Sequence, residues 1–139
     1  MAEDPVCHPL CCPMTLKFIE TIEKTIASNP IILSSNIQKH FGPDSKTVYV
    51  MGSIIFIDSS VLEIAIFAAE ISTAVIIDKY RFHYMDNKGE MLFRYDNAPH
   101  HPEIQSYPHH KHIKNLVIPA HLPNLKEILN EISAMILKK

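Results

Sequence analysis

The chain has 139 residues, of which 47% are hydrophobic and 20% charged, with a formal net charge of −2 when histidine is neutral. This length suits one domain whose core needs neither disulfides nor metal, and the charge excludes the basic excess of a dedicated nucleic-acid binder. No apolar run reaches the roughly 18 residues that span a bilayer. Glu3 and Asp4 stand where a secretory signal carries basic residues, so a cytoplasmic protein with no membrane contact is expected.

A segment rich in cysteine and proline, CHPLCC, lies near the start of the chain. Its three cysteines, Cys7, Cys11 and Cys12, are an odd number, which argues against a disulfide framework. With His8 they could bind a soft metal, but no second pair follows at zinc-finger spacing. We therefore expect residues 1–13 to form a flexible tail and residues 14–139 a single α+β domain.

Two helical segments are predicted in the next part of the chain. Over residues 15–28 the apolar side chains Leu16, Ile19, Ile22 and Ile26 recur at helical spacing, and Asn29-Pro30 ends the pattern. A short second helix is predicted over residues 35–41, where Gly42-Pro43 would stop it.

Strand patterns dominate residues 47–95. Residues 47–57 are β-branched and aromatic around an interrupting Gly52, and residues 61–71 favour a second strand, with a helix left open by their alanines. Residues 73–85 alternate, which predicts one face with Ile76 and Tyr80 and the other with Ile77 and Lys79. The sequence Asp-Asn-Lys-Gly at 86–89 predicts a hairpin turn, followed by a return strand over residues 90–95.

The C-terminal part predicts one more strand, over residues 113–118, and a last helix with Pro123 at its first position. That helix has an apolar stripe at 3.6-residue spacing: Leu125, Ile128, Leu129, Ile132, Met135 and Ile136. The predicted fold class is α+β, an antiparallel β meander of four to five strands with the N- and C-terminal helices packed on one face.

Residues 94–112, which we call the histidine segment, carry five of the nine histidines of the chain. Imidazole has an ordinary pKa of about 6.5, so it exchanges protons near neutrality, and it is also a common metal ligand. Packing does not explain such a cluster between prolines. We therefore expect the function to depend on this segment, although at least two of the five histidines are expected to be structural.

A cationic strand face lies beside the histidine segment in the predicted sheet. Lys79, Arg81 and His83 share one face at two-residue spacing, and Arg94 lies on the return strand. Histidine acids and bases beside fixed cations match the needs of general acid–base cleavage of a phosphodiester. The alternative is a solvated sheet face with ordinary surface charge.

A metal site is a second interpretation of the same histidines. His110 and His112 are two residues apart and can point the same way, and His101, Glu103 or Asp96 could supply a third ligand. Zinc or manganese would fit such a set, whereas the acid–base interpretation needs no cofactor. Asp96 and Asn97 are expected to hydrogen-bond the turn backbone, or Asp96 to orient a histidine and raise its pKa.

The stretch KYRFHYMDNKGEMLFRYDNAPHHPEIQSYPHHKH, residues 79–112, resembles the TumE family, the toxin component of prokaryotic toxin–antitoxin modules. The segment FIDSSVLEI, residues 56–64, also fits, so the resemblance extends over residues 47–137 and leaves residues 1–45 outside. The residues that match the pattern are Arg94, Asp96, Asn97, His100, His101, His109, His110 and His112.

The resemblance implies a toxin held by a cognate antitoxin, with RNA as the target class. Apart from the resemblance, a homodimer is a further assembly that we consider. A metal-independent ribonuclease or RNA-binding toxin is the leading hypothesis. The alternatives are a non-catalytic interaction or regulatory module with a structural histidine-rich loop, and a metal-dependent hydrolase. The candidate catalytic residues are Arg81, Arg94, His100, His101, His109, His110 and His112, and the candidate substrate contacts are Lys79, Tyr95, Asp96, Asn97 and Lys111. The alternative metal ligands are His101, His110 and His112.

Overall fold

A computed structural model describes residues 13–138, and this range contains two helices and seven strands. In chain order these are α1 (Met14–Ala27), β1 (Ile32–Phe41), β2 (Thr47–Phe56), β3 (Val61–Ile71), β4 (Ala74–Met85), β5 (Met91–Asp96), β6 (His110–Ile113), β7 (Leu116–Pro119) and α2 (Leu125–Leu137). Cys7, Cys11 and Cys12 lie outside the described residues. The tail and the domain boundary therefore stay predictions.

The seven strands form one sheet in which every strand pairs antiparallel with the next strand along the chain. Most connections are short, because antiparallel neighbours need only a tight turn, and the exception is the one between β5 and β6, residues 97–109. At the predicted turn between β4 and β5, Gly89 takes a φ of 83°, which favours glycine. The α+β meander is confirmed, and residues 61–71 are a strand rather than a helix, but the sheet has more strands than the four to five predicted.

The predicted helix over residues 35–41 is wrong, because this segment belongs to β1. Ile37 and Phe41 are four residues apart, as on one helical turn. Within residues 13–138, however, β1 is the first strand of the sheet and pairs only with β2. Most of its side chains are exposed, so polar residues occupy both faces and the usual alternation is lost. Because β1 is an edge strand, its sequence lacks the alternation of apolar and polar residues that would predict a strand.

The predicted strand over residues 113–118 is two short strands, β6 and β7. Lys114 has a φ of 53°, a left-handed conformation that reverses the chain between them. Because β6 begins at His110, the end of the histidine segment joins the sheet. The prediction for Pro123 is also wrong: Asn124 is the N-cap of α2, and its side chain accepts a hydrogen bond from the Glu127 amide at 2.8 Å.

Both helices pack on one face of the sheet, which we call the covered face. One cluster of buried apolar side chains joins α1, α2 and the central strands, and it includes Ile19, Ile22, Ile54, Leu62, Phe82, Tyr84, Phe93, Ile128, Leu129 and Ile132. The predicted position of the helices and the stripe of α2 are confirmed. Within residues 13–138, no helix combines the length and apolar character needed to span a bilayer.

A β-bulge at Asp78 changes the predicted alternation of β4. Phe67 of β3 pairs with Lys79 and its neighbour Ala68 pairs with Ile77, so Asp78 is the extra residue. As a result Ile77 packs against the core, whereas Ile76 is 47% exposed. The predicted grouping of Ile76 with Tyr80 is therefore wrong, and the strand faces are as predicted only from Lys79 onward.

Gly52 allows β1 to approach β2 closely. Its φ is +155°, and a Cβ built at this position would lie 2.0 Å from the carbonyl oxygen of Asn36 on β1. The glycine that interrupts the apolar pattern of residues 47–57 thus keeps the edge strand paired.

Candidate functional site

The sheet face opposite the helices, which we call the open face, brings the conspicuous residues of three strands together. Arg81 of β4 pairs with Asp96 of β5, which pairs with His110 of β6. One step along the strands, Arg94 pairs with His112. Because paired residues share a face and alternate residues repeat it, these side chains all belong to the open face. The prediction that His110 and His112 point to the same side is confirmed.

These residues line a groove of about 770 Å³ on the open face. The lining residues are Tyr49, Ala65, Phe67, Asp78, Lys79, Tyr80, Arg81, Arg94, Asp96, Asn97, Ala98, Pro99, His100, His101, His110 and His112. The volume is within the range of small-molecule and substrate sites, and the groove crosses strands from β2 to β6. The predicted residues Lys79, Arg81, Arg94, His100 and His101 all reach it.

At the β6 end of the groove, His101, His110 and His112 form a compact group that we call the histidine cluster. The ring centroids of His110 and His112 are 4.8 Å apart, and the ring of His101 lies 5.1 Å from the first and 5.7 Å from the second. Asp96 lies against two of these rings: its Oδ1 is 3.0 Å from His110 Nε2, and its Oδ2 is 3.5 Å from His112 Nε2. These two contacts support the predicted role of Asp96, which is to orient a histidine.

His110 is buried and held at both ring nitrogens. Its Nδ1 is 2.8 Å from the carbonyl oxygen of Pro108, which can only accept, so Nδ1 carries a proton. Its Nε2 faces Asp96, and the side chain is only 2% exposed. The side chains of His101 and His112 are 30% and 25% exposed. Of the three rings, His101 and His112 are therefore the ones accessible to a substrate.

The pKa of His112 lies below its ordinary value. Burial disfavours the charged ring, and the neighbouring His110, Arg94 and His101 act in the same direction, while Asp96 opposes them. The carboxylate was predicted to raise the pKa of a histidine, but at His112 burial outweighs it. A neutral imidazole near pH 7 can accept a proton, which suits a general base.

Three cations of the groove have no acidic partner. Within residues 13–138, no ion pair engages Lys79, Arg81 or Arg94. In addition, Nε of Arg94 is buried with no hydrogen-bond partner among these residues. The cationic groups of the three side chains that line the groove could bind an anion through charge-assisted hydrogen bonds. The part of the groove that these three cations line is therefore suited to a phosphate.

Two of the predicted substrate contacts, Tyr95 and Lys111, lie on the covered face and away from the groove. The hydroxyl of Tyr95 donates to Glu131 of α2 at 2.6 Å, and Lys111 pairs with the same carboxylate at 2.7 Å. The pKa of Lys111 is raised, because these hydrogen bonds outweigh the opposing effect of burial. The two residues join α2 to the sheet. The prediction missed this because strand neighbours of site residues point to the other face.

Two other predicted residues have structural contacts. His109 stacks on Tyr80, with its Nδ1 2.8 Å from the tyrosine hydroxyl, and it does not line the groove. Asn97 accepts from the Tyr80 amide at 3.1 Å and donates to the Asp78 carbonyl at 2.9 Å. Asn97 therefore holds the bulge of β4 beside the groove. The turn backbone, which Asn97 was predicted to bind, is instead bound by Asp96, whose Oδ1 accepts from the Ala98 amide.

The histidine cluster also has the dimensions of a metal site. One ligand atom each from His101, His110 and His112 can be chosen so that all lie within 4.8 Å of one another. Three imidazoles are a known ligand set for catalytic zinc, and the hydrogen bond from His110 Nδ1 to Pro108 is of the kind that orients a metal-bound histidine. The predicted third ligand Glu103 is instead exposed and lies 3.3 Å from His101 Nδ1.

Three lining residues at the other end of the groove were not predicted. Tyr49 of β2 and Phe67 of β3 pair directly across the sheet, and Ala65 pairs with Arg81. The available signal was the alternation of residues 47–51, where the exposed Tyr49 and Met51 alternate with the buried Val48 and Val50. Proximity of these residues to the histidine segment depends on strand pairing, which the sequence alone does not fix.

The family model described as Toxin TumE matches residues 22–136. The match extends from α1 through α2 and contains every residue of the groove. The expectation that residues 1–45 lie outside the resemblance is wrong for residues 22–45, because β1 and half of α1 belong to the match. No curated protein and no solved structure matches the chain with significance.

Proposed function

The chain belongs to the toxin TumE family, and we propose that it is the toxin of a toxin–antitoxin module that cleaves RNA by metal-independent acid–base chemistry. The observation that carries this proposal is the histidine cluster beside three unpaired cations in one groove. Imidazoles supply the base and the acid, and the cations stabilise charge on the transition state. A cognate antitoxin is the implied partner.

Roles follow from exposure and contacts. His112 is the base: its lowered pKa keeps it neutral, so it can remove the proton of a ribose 2′-hydroxyl. His101, the other accessible ring, is the acid. His110 and Asp96 are positioning residues, because His110 is buried and Asp96 contacts both His110 and His112.

The reaction balances without an added co-reactant. The 2′-oxygen attacks the neighbouring phosphorus as His112 takes its proton, and the bond from phosphorus to the 5′-oxygen breaks. His101 gives a proton to the leaving 5′-oxygen, which yields a 2′,3′-cyclic phosphate and a 5′-hydroxyl. Arg94 and Arg81 neutralise the phosphoryl oxygens.

Alanine variants test the two catalytic assignments. We expect His112→Ala and His101→Ala each to lower RNA cleavage in EDTA by about 10²–10⁴ and to relieve growth arrest on expression. His121→Ala is the matched control, because His121 is exposed and does not line the groove. Thermal melting checks that each variant folds. Folded variants that remain as toxic as wild type would contradict the proposal, as would undiminished cleavage of an all-2′-deoxy substrate.

A metal-dependent hydrolase is the second candidate, favoured by the spacing of ligand atoms in the histidine cluster. In this case Nε2 of His110 would bind the ion in place of its present contact with Asp96, while Nδ1–H continues to donate to the Pro108 carbonyl. Metal analysis of the purified protein distinguishes the candidates. Activity that EDTA abolishes and that zinc or manganese restores would replace the acid–base mechanism, whereas neither metal nor activity would favour a non-catalytic interaction module.

A further inference from the structure

We propose that Tyr49 and Phe67 form a stacking platform for a base of single-stranded RNA, several nucleotides away from the scissile phosphate. The proposal rests on the proposed function in one respect: it takes RNA to be the ligand of the groove. It does not depend on whether the histidine cluster works with or without metal.

The two rings are neighbours on the open face. Tyr49 and Phe67 are direct partners in the β2–β3 pairing, which places their Cβ atoms about 5 Å apart. Tyr49 is 37% exposed, Phe67 is partly exposed, and both line the groove. Rings on this face cannot pack against the helices, because those cover the opposite face. Both rings are therefore accessible to a flat ligand.

The small side chain of Ala65 keeps the groove continuous from the platform to the histidine cluster. Ala65 lies between Met51 and Arg81 in one row across the sheet. Lys79 pairs with Phe67 and reaches the groove beside the ring. A ring for a base and a cation for the adjacent phosphate are thus next to each other, which is how proteins bind single strands.

The distance along the groove sets the length of strand that is needed. Three strand spacings of about 4.8 Å separate β3 from β6, so the platform lies roughly 14 Å from the histidine cluster. A strand must span this distance, so a dinucleotide bound at the histidine cluster does not reach the platform. A duplex does not fit this use, because its bases are already stacked on one another.

Charge favours RNA over a protein as the occupant. The groove combines the two rings with Lys79, Arg81 and Arg94, and within residues 13–138 none of these cations has an acidic partner. A polyanion with aromatic bases complements both features at once. An antitoxin segment that binds the same rings is the competing interpretation, and it is an outcome of the test.

The test uses oligoribonucleotides of two to eight nucleotides and the variants Phe67→Ala and Tyr49→Ala. We expect KM to rise about 5- to 100-fold for six or more nucleotides, with kcat and the cleavage of dinucleotides unchanged, since stacking contributes about 1–3 kcal/mol per base. Phe67→Trp should retain the wild-type KM, and Phe67→Leu should not. Phe41→Ala is the control, because Phe41 is similarly exposed, at 38%, and lies outside the groove.

A binding experiment separates this proposal from the proposed function. Fluorescence anisotropy with an uncleavable 2′-O-methyl octanucleotide measures the affinity of the protein for the strand, even where no cleavage occurs. Weaker binding by Phe67→Ala in a protein that cleaves no RNA would support the platform and overturn the ribonuclease. Three results would each overturn the platform. These are equal RNA binding by wild type and Phe67→Ala, an equal rise of KM for short and long substrates, and a loss of antitoxin binding with RNA binding unchanged.

Discussion

At the scale of single residues, Asp96 determines how the histidine cluster is arranged. Its Oδ1 accepts from the Ala98 amide at 2.9 Å and contacts His110, and its Oδ2 contacts His112. The hydrogen bond from the turn backbone therefore holds the carboxylate in the position from which it contacts the two rings. This explains why two histidines on the same face differ in exposure: His110 is enclosed by Asp96 and Pro108, while His112 keeps an exposed edge.

His83 provides a pH-dependent test of the open face. Burial lowers its pKa, Arg94 and Arg81 lower it further, and Glu63 opposes them. Below the unfolded value of about 6.5, the unfolded chain binds more protons at this site than the folded protein does. The free energy of unfolding is therefore expected to fall as the pH decreases from 6.5 toward the folded pKa of His83.

The measurement is urea unfolding of wild type and His83→Gln at pH 7.5 and pH 5.5. Wild type should lose more stability than the variant over this interval, because glutamine does not titrate. Other groups, His112 among them, titrate in both proteins, so their contribution cancels in the comparison. Equal losses in the two proteins would show that the environment of His83 does not disfavour its charged form.

At the scale of elements, helix α2 is the part of the fold that the sequence predicts best. Leu129 is 1% exposed and belongs to the core between α2 and the sheet. Leu129→Ala should lower the free energy of unfolding by about 2–5 kcal/mol, as removal of a buried leucine does. Leu137→Ala on the same helix is the control: Leu137 is 73% exposed, and its loss should change stability by less than about 0.5 kcal/mol. Urea denaturation of both variants gives these values, and similar losses would contradict the observed packing of α2.

The errors of sequence-based prediction occur where a pattern has more than one physical meaning. The apolar stripe of α2 and the alternation of Tyr80, Phe82 and Tyr84 are unambiguous, since each repeats over several periods against one core. In the described part of the chain β1 has only one partner strand and most of its side chains are exposed, so its sequence does not show which side chains face the core. The bulge at Asp78 depends on the distant Asn97, which a local pattern cannot contain.

The candidate site was predicted in part for the same reason. Its histidines and Asp96 are close in sequence, so their clustering is visible before the fold is known. Tyr49 and Phe67 are 18 positions apart and look like ordinary strand aromatics, and only their pairing on the open face distinguishes them. Conversely, Tyr95 and Lys111 alternate with site residues and were included because the face of each strand position was not yet fixed.

At the scale of the whole molecule, the fold places the apolar core and the candidate site on opposite faces of the sheet. Helices and apolar side chains occupy the covered face, and the cations, histidines and platform rings occupy the open face. Substitutions on the open face can therefore alter binding or cleavage with limited effect on the core. This separation helps to interpret the activity tests proposed for the groove, because the buried apolar side chains that contribute most to the free energy of unfolding lie on the covered face.

Removal of residues 1–12 tests whether the domain extends beyond the described part of the chain. The core and the groove identified within residues 13–138 have all their members at or after residue 19. We expect the truncated protein to keep the thermal midpoint, the metal content and any RNA cleavage of the full chain. A deletion of residues 1–20 is the comparison, since it removes part of α1 and the buried Ile19, and it should lower the midpoint markedly. If the shorter deletion unfolds the protein, or abolishes metal binding that the full chain shows, Cys7, Cys11 and Cys12 have a role that the tail prediction denies.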